Sequence, residues 1–271
     1  MIPSVLEYTR ASSIDEAIAA VAAGATPLSG GQSLLPMMRL RLAAPGAIVD
    51  LGGIPELVGV CEDGDEIAVG GMTTHRAVSL DPMIRQYAGL VSDAAAGIGS
   101  PQVRNRGTIG GSLGHADPHS DMPATLIAAG ASVIAKGPGG ERRILVEDLI
   151  QTYLTTSLEP GEIITQVRIP KSDHNSAYAK FHRRAIDWTI VGVAVCLDPA
   201  GVRAAGTGVA DKPVRLTAFE DVLNGGGSID EAVAVAANGL EPHDGLDGSS
   251  EYKKHLVGVL ARQAYDQASS R

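Results

Sequence analysis

Apolar and polar residues in the first part of the chain alternate with the spacing of short helices and strands. Residues 12–24 predict a helix, because Ser13 can cap it, Glu16 follows three positions later and Gly24 ends the alanine-rich run. Short apolar runs at 26–28 and 48–51 predict strands. The pattern therefore indicates a small helix–strand–loop–helix–strand unit at the start.

The same patterns continue to a polar break at residues 171–176, where we predict a domain boundary. Before it, the chain predicts a hairpin at 137–140, strands at 66–71, 131–136 and 162–170, and helices from residue 73, at 94–98 and at 123–130. After it come strands at 176–183, 189–197 and 202–209, then helices near 217–223, 228–238 and 250–268. Strands followed by helices predict an α+β tail.

The amino-acid composition argues against several classes of function. Of 271 residues, 44% are hydrophobic but only 3% aromatic, so the core must be aliphatic. A net charge of −9 argues against a nucleic-acid-binding face. Cys61 and Cys196 lack zinc or iron–sulfur spacing. No run approaches the roughly 18 apolar residues of a membrane helix, and no basic-then-apolar leader opens the sequence, so we expect a cytoplasmic protein without a transmembrane segment.

Two glycine pairs, Gly30-Gly31 and Gly110-Gly111, are the first chemical signal. Glycine lets backbone N–H groups turn toward one point, and converging amides form an anion nest suited to phosphate. Each pair alone is a weak signal, because turns use glycine pairs widely. Neither fits the Rossmann or P-loop pattern. Two nests in one fold suggest a diphosphate held from two sides, as in a dinucleotide.

The loop at 114–123 holds two histidines and two aspartates before a predicted helix. Their spacing fits no zinc pattern, so a metal site is disfavoured. Ser120 or Asp121 can cap the helix near Pro123, and Asp121 can accept hydrogen bonds from ribose hydroxyls. Four arginines flank the glycine pairs: Arg39, Arg41, Arg104 and Arg106. The sequence leaves three roles open for them, namely solvated surface charge, support of the negative diphosphate and contact with a partner subunit.

Ordered motifs give these loops a family context. Segments 30–42, 99–113 and 116–123, with 183–192 and 248–254 in the tail, resemble the medium, FAD-binding subunit of the molybdenum hydroxylases, which include carbon monoxide dehydrogenase and xanthine dehydrogenase. The resemblance covers nearly the whole chain. It implies a two-subdomain FAD-binding fold of the vanillyl-alcohol-oxidase (PCMH) type and a smaller α+β C-terminal domain with a three-stranded sheet plus helices. The implied domains are 1–175, with subdomains of about 1–58 and 59–175, and 176–271.

The resemblance also implies a cofactor site but no catalytic residue or metal ligand. The pyrophosphate would be wrapped by Ser29, Gly30, Gly31, Gln32, Ser33 and Leu34. Thr108, Gly110, Gly111 and Ser112 would hold it from the other side, Asp121 would bind ribose or adenosine, and Lys180 would lie near the flavin. Trp188 could contact the flavin, the core or an interface. Many relatives have histidine where this chain has Gln32, so we predict non-covalent FAD.

The implied function is electron transfer through FAD to an external acceptor. In the resembled complexes, a large molybdenum-cofactor subunit hydroxylates substrate, a small subunit holds two [2Fe-2S] clusters, and a dimer of heterotrimers is expected. Two distant cysteines cannot ligate such clusters here, and no general base stands out. Two alternatives stay open: a stand-alone flavin oxidase or reductase of the same fold, and an assembly subunit that has lost FAD.

Overall fold

The computed structural model describes residues 4–172 and 174–271. Its first sheet is parallel, with strand order β1-β3-β2. Ser13 caps the first helix by accepting a hydrogen bond from the Glu16 amide, as the sequence predicts. The elements are β1 (Glu7–Arg10), α1 (Ile14–Ala22), β2 (Thr26–Leu28), α2 (Leu34–Arg39) and β3 (Ala47–Asp50).

The second sheet is antiparallel, with order β4-β5-β10-β6-β7. Its strands and hairpin elements are β4 (Val60–Asp63), β5 (Glu66–Gly70), β6 (Ser132–Gly137), β7 (Gly140–Leu145), β8 (Ile150–Thr152), β9 (Thr155–Thr156) and β10 (Ile163–Pro170). The hairpin predicted at 137–140 joins β6 to β7. The associated helices are α3 (His75–Leu80), α4 (Pro82–Tyr87), α5 (Gly89–Ala96), α6 (Pro101–Arg104), α7 (Ile109–His115), α8 (Asp121–Ala128) and α9 (Val146–Leu149).

The third sheet is antiparallel and has four strands, so the expected three-stranded sheet is wrong. The extra strand follows Pro213 and pairs with β13 over only two residues. A segment this short shows no alternation of apolar and polar residues, so the sequence does not predict it. The elements are β11 (Ser176–Phe181), β12 (Val191–Asp198), β13 (Gly201–Thr207), β14 (Val214–Arg215), α10 (Thr217–Asn224), α11 (Ile229–Val235) and α12 (Ser250–Ser269).

The third sheet is packed on both faces, which fixes it against the rest of the molecule. Ala194 and Ala205 belong to the apolar core that contains α8, whereas Val193 and Val195 belong to a separate core with α12. The run from Val191 to Cys196 is therefore buried throughout. Side chains at the start of β12 are thus held at fixed positions relative to α8.

The strands β1 and β4 were not predicted because most of their side chains face solvent. All four residues of β1 are exposed, as are three of the four in β4, so neither shows an apolar stripe. The boundaries at residues 58 and 175 remain predictions, and Asp173, within the predicted polar break, lies outside the described residues. Among the described helices, none is long and apolar enough to cross a membrane.

Candidate cofactor-binding site

A cavity of about 850 Å³ lies where the first sheet meets α3, α7 and the loop before β12. This volume falls in the usual range of roughly 300–1,000 Å³ for small-molecule sites. Every predicted site residue lines the cavity except Lys180. The lining residues from that set are Ser29, Gly30, Gly31, Gln32, Ser33, Leu34, Thr108, Gly110, Gly111, Ser112 and Asp121.

The first glycine pair lies in the turn between β2 and α2. Gly31 has φ +74°, a left-handed conformation that favours glycine. A Cβ atom at Gly30 would overlap the backbone carbonyl oxygen of Arg106. The absence of a side chain thus lets the two glycine loops touch through their backbones. The Ser29 and Thr108 hydroxyls, 2.5 Å apart, add a hydrogen bond between the same loops.

The backbone amides of the second pair, Gly110 and Gly111, are hydrogen-bonded to other groups of the protein. The Gly110 N–H donates to the Gly71 carbonyl at 2.9 Å, and the Gly111 N–H donates to Thr108 Oγ1 at 3.0 Å. A Cβ atom at Gly110 would lie 2.6 Å from the Gly71 oxygen. The expected anion nest is therefore not formed by these two amides, and Gly110 serves close packing. The assignment of this loop to the cofactor site stays a prediction.

We call the part of the cavity lined by these glycine loops the glycine end. Its residues are glycines at which the backbone turns or packs closely against another backbone segment. The Gly70-Gly71 pair at the end of β5 was not predicted as part of the site, although a further glycine pair was visible in the sequence. The glycine end comprises Gly30, Gly31, Gly71, Gly110 and Gly111.

A second part of the cavity is built around a buried carboxylate. The Asp121 carboxylate accepts hydrogen bonds from Tyr178 at 2.5 Å and Thr189 at 2.6 Å through one oxygen, and from Lys180 at 2.9 Å through the other. The Lys180 ammonium also donates to the Gly97 carbonyl at 2.8 Å. Lys180 thus acts on the cavity through Asp121. The acid end, as we define it, comprises Asp121, Tyr178, Lys180, Thr189 and His75.

The acid end couples α8 to the third sheet. Burial, with the Asp121 charge as the next cause, raises the pKa of Tyr178 well above its ordinary value, so its hydroxyl stays a neutral donor. A Cβ atom at Gly192 would overlap that hydroxyl, so glycine on β12 makes room for it. Three donors on one buried carboxylate satisfy most of its hydrogen-bonding capacity.

Ser120, not Asp121, takes the capping position at the start of α8. Its hydroxyl makes no cap bond and instead lies 2.6 Å from the Ser112 hydroxyl. The remaining acidic and histidine side chains of the loop also make internal contacts. Asp117 accepts from the His119 amide at 2.8 Å, and the His119 Nδ1 atom lies 2.9 Å from the Thr189 carbonyl. Within residues 4–172 and 174–271, no group of three or more potential ligands could hold a metal ion.

His75 lines the cavity and was not identified from the sequence as a site residue. It begins α3 and is 4% exposed. Burial lowers its pKa to about 4, against an opposing influence of Asp121, so the imidazole is neutral at pH 7. Its position shortly after the Gly70-Gly71 pair was the only available signal.

The flanking arginines divide into two groups. The Arg104 guanidinium points inward and donates to the carbonyls of Ile98 and Gly99 at 2.9 and 3.0 Å, which stabilises the turn before α6. Arg39, Arg41 and Arg106 are exposed. The loop before β12 places exposed apolar side chains at the cavity, Ile186 and Trp188, each 63% exposed.

The cavity suits an elongated ligand with a polar part and an apolar part. The Ser33 hydroxyl makes no capping bond. The hydroxyls of Ser29, Thr108 and Ser112, each hydrogen-bonded to another hydroxyl of the protein, also line the cavity near bare glycine backbone. Apolar side chains form other walls: Met37, Met72, Ile98, Leu158 and Ile164. A phosphate-bearing flavin dinucleotide combines these two kinds of surface, so the residues present fit FAD.

Two family models match consecutive parts of the chain. The model described as "FAD binding domain in molybdopterin dehydrogenase" matches residues 4–172, which contain the cavity loops. The model described as "CO dehydrogenase flavoprotein C-terminal domain" matches residues 176–268, which contain the third sheet. Together they account for nearly the full length.

Relatives and a solved structure agree over the same length. The carbon monoxide dehydrogenase medium chain of Hydrogenophaga pseudoflava is 35% identical, covering 100% of this chain and 99% of the relative. The nicotine 6-hydroxylase medium subunit of Paenarthrobacter nicotinovorans is 38% identical over 90% of this chain and 89% of its own. A chain of the solved Hydrogenophaga pseudoflava carbon monoxide dehydrogenase lacking the Mo-pyranopterin moiety matches with TM-score 0.95 at 36% identity, covering 100% of this chain and 99% of that one.

Proposed function

The chain belongs to the family of FAD-binding medium subunits of molybdenum hydroxylases, and on that premise we propose that it passes electrons from the [2Fe-2S] clusters of a partner subunit to an external acceptor. The single observation that carries the proposal is the cavity, which brings the two glycine loops and Asp121 together. The chain itself contributes no cluster ligands, because it has only two cysteines, far apart in sequence.

The residues that would hold FAD fall at two places in the cavity. We assign the pyrophosphate to the loop from Ser29 to Leu34, with the Thr108 and Ser112 hydroxyls opposite. Asp121 orders the acid end through its bonds to Tyr178 on the third sheet and to Thr189 before β12. Bound FAD would accept electrons one at a time and release them in pairs. The protein would set the orientation and the surroundings of the flavin. The apolar walls would exclude water from the ring.

Attachment of FAD is non-covalent in this proposal. Gln32 stands in the cavity loop, and a glutamine amide has no nucleophilic nitrogen that could form a stable flavin bond. Precipitating the holoprotein with acid should therefore release all of the flavin into the supernatant. Flavin that stays in the protein pellet would contradict this assignment.

The proposed partners are a large molybdenum-cofactor subunit and a small [2Fe-2S] subunit, assembled as a dimer of heterotrimers. Support comes from the relatives, whose names describe them as medium chains or medium subunits. In such an assembly the substrate would be chosen by the large subunit, and this chain would set the route by which electrons leave.

Co-purification tests the proposal. The tagged chain is expressed together with candidate large and small subunits, and flavin, iron and molybdenum are measured in the isolated complex. We expect all three, with two additional chains. Flavin without either metal would instead favour the stand-alone oxidase or reductase, and a colourless chain in a metal-containing complex would favour an assembly role.

A further inference from the structure

Within the part of the chain that the structure describes, the His75 side chain has a buried nitrogen without a hydrogen-bond partner. The side chain is 4% exposed and lines the cavity, yet its Nδ1 atom is enclosed and lacks a hydrogen-bond partner among the described residues. Buried polar groups are nearly always hydrogen-bonded, so an unpaired Nδ1 atom restricts which of the two ring nitrogens can carry the proton.

The position of the ring is fixed by backbone contacts. The His75 amide donates to the Gly107 carbonyl at 2.9 Å, which anchors the start of α3 against the second glycine loop. A Cβ atom at Gly107 would lie 3.1 Å from the ring Cδ2 atom and 3.4 Å from Nε2. Nε2 is thus the ring nitrogen beside Gly107, another residue of the cavity wall.

The enclosed Nδ1 atom indicates where the proton lies. A neutral imidazole carries its hydrogen on one nitrogen and a lone pair on the other. An enclosed N–H without an acceptor is rarer in proteins than an under-satisfied acceptor. We therefore assign the lone pair to Nδ1 and the N–H to Nε2, at the Gly107 side. The low pKa of His75 agrees with a neutral ring.

We propose that His75 is a cofactor-binding residue whose Nε2–H donates a hydrogen bond to an acceptor oxygen or nitrogen of FAD beside Gly107. This inference rests on the proposed function, because it needs FAD in this cavity. His75 acts here as a fixed neutral donor that positions the cofactor and transfers no proton.

Two substitutions of matched length separate a donor from a space-filling residue. Gln in H75Q can place an N–H near the position of Nε2, whereas Met in H75M fills similar space without a donor. The measurements are the FAD dissociation constant of the apo complex, from quenching of flavin fluorescence, and the thermal midpoint of each apoprotein.

We expect H75Q to bind FAD within about threefold of the unmodified protein and H75M to bind about tenfold more weakly, the change expected for one lost hydrogen bond. Equal dissociation constants for H75Q and H75M would overturn the proposal. If H75M lowers the apo thermal midpoint, H75N, whose shorter amide reaches only the Nδ1 position, replaces it and should also bind weakly. Failure of the unmodified complex to bind FAD would count against the proposed function instead.

Discussion

The two ends of the cavity are held by opposite kinds of interaction. At the glycine end, Gly30 lies against the Arg106 carbonyl and Gly110 against Gly71, so bare backbone meets bare backbone. At the acid end, one carboxylate binds three side chains. Replacing a glycine by any larger residue should disturb the glycine end. Removing a charge or changing the pH should disturb the acid end.

The largest expected effect is at the acid end. Asp121→Asn leaves the Lys180 ammonium, whose side chain is 13% exposed, without its counter-ion. Breaking a buried pair costs about 3–5 kcal/mol, so we expect a loss of that order in the free energy of unfolding, measured by urea denaturation. Asp15→Asn is the control, because the Asp15 partner of Lys136 is 87% exposed and its pair contributes little. Equal losses in both variants would contradict the comparison.

The next effect depends on pH. The pKa of His75 is lowered from 6.5 to about 4, so below pH 6.5 the unfolded chain binds a proton that the folded chain does not. The stability contributed by neutral His75 is complete above pH 6.5 and is lost as pH falls toward 4. At 1.36 kcal/mol per pKa unit the loss reaches about 3 kcal/mol.

Urea denaturation of the apoprotein between pH 4 and pH 7 measures this loss. His75→Gln should remove this part of the pH dependence while the other titrating groups remain. Parallel stability curves for the two proteins over that range would show that His75 does not contribute.

The glycine end should give a smaller loss that is independent of pH. Gly30→Ala places a methyl group where the Arg106 carbonyl lies, and overpacking of this kind costs about 1–3 kcal/mol. Gly114→Ala is the matched control in the same cavity wall, since nothing lies within 4 Å of the added methyl group. That control should be neutral or slightly stabilising, because alanine favours a helix more than glycine. Apoprotein thermal denaturation compares them, and a destabilised Gly114→Ala with an unchanged Gly30→Ala would reverse the assignment.

The smallest effect concerns the hydroxyl bridge between the glycine loops. Ser29→Ala removes bonds to Thr108 and to the Met72 sulfur, at 2.5 and 2.9 Å. We expect a loss of about 1 kcal/mol, typical of one net hydrogen bond, because the thioether sulfur is only a weak acceptor. Ser33→Ala serves as the comparison, since the Ser33 side chain makes no capping bond to α2. Chemical denaturation of both variants measures the difference, and no loss in Ser29→Ala would indicate that backbone contacts alone hold the loops.

Local patterns predicted the local structure well. The Ser13 cap, the 137–140 hairpin and the long final helix follow from short-range rules. The exposed strands β1 and β4 did not, because neither carries an apolar stripe. Pairing with the distant strand β3 decides β1, whereas β4 forms a hairpin with its neighbour β5. The family match of the whole chain is confirmed, whereas the individual cofactor contacts stay predictions.

The site shows the same limit. Glycine pairs marked two loops that line one cavity, but a sequence does not reveal whether an amide is free or already bonded to a residue such as Gly71. The role of Lys180 beside Asp121, and the enclosure of His75, depend on distances between segments that only the folded chain brings together.

The Ser29–Thr108 bridge has a kinetic consequence. It joins residues 79 positions apart, and the Thr189–Asp121 bond spans a further 68. Closing such long loops is slow compared with forming helices and hairpins, because their entropy is lost before distant contacts compensate for it. The cavity should therefore be completed late in folding, after most local structure, so that flavin binds a nearly finished chain and does not act as its template.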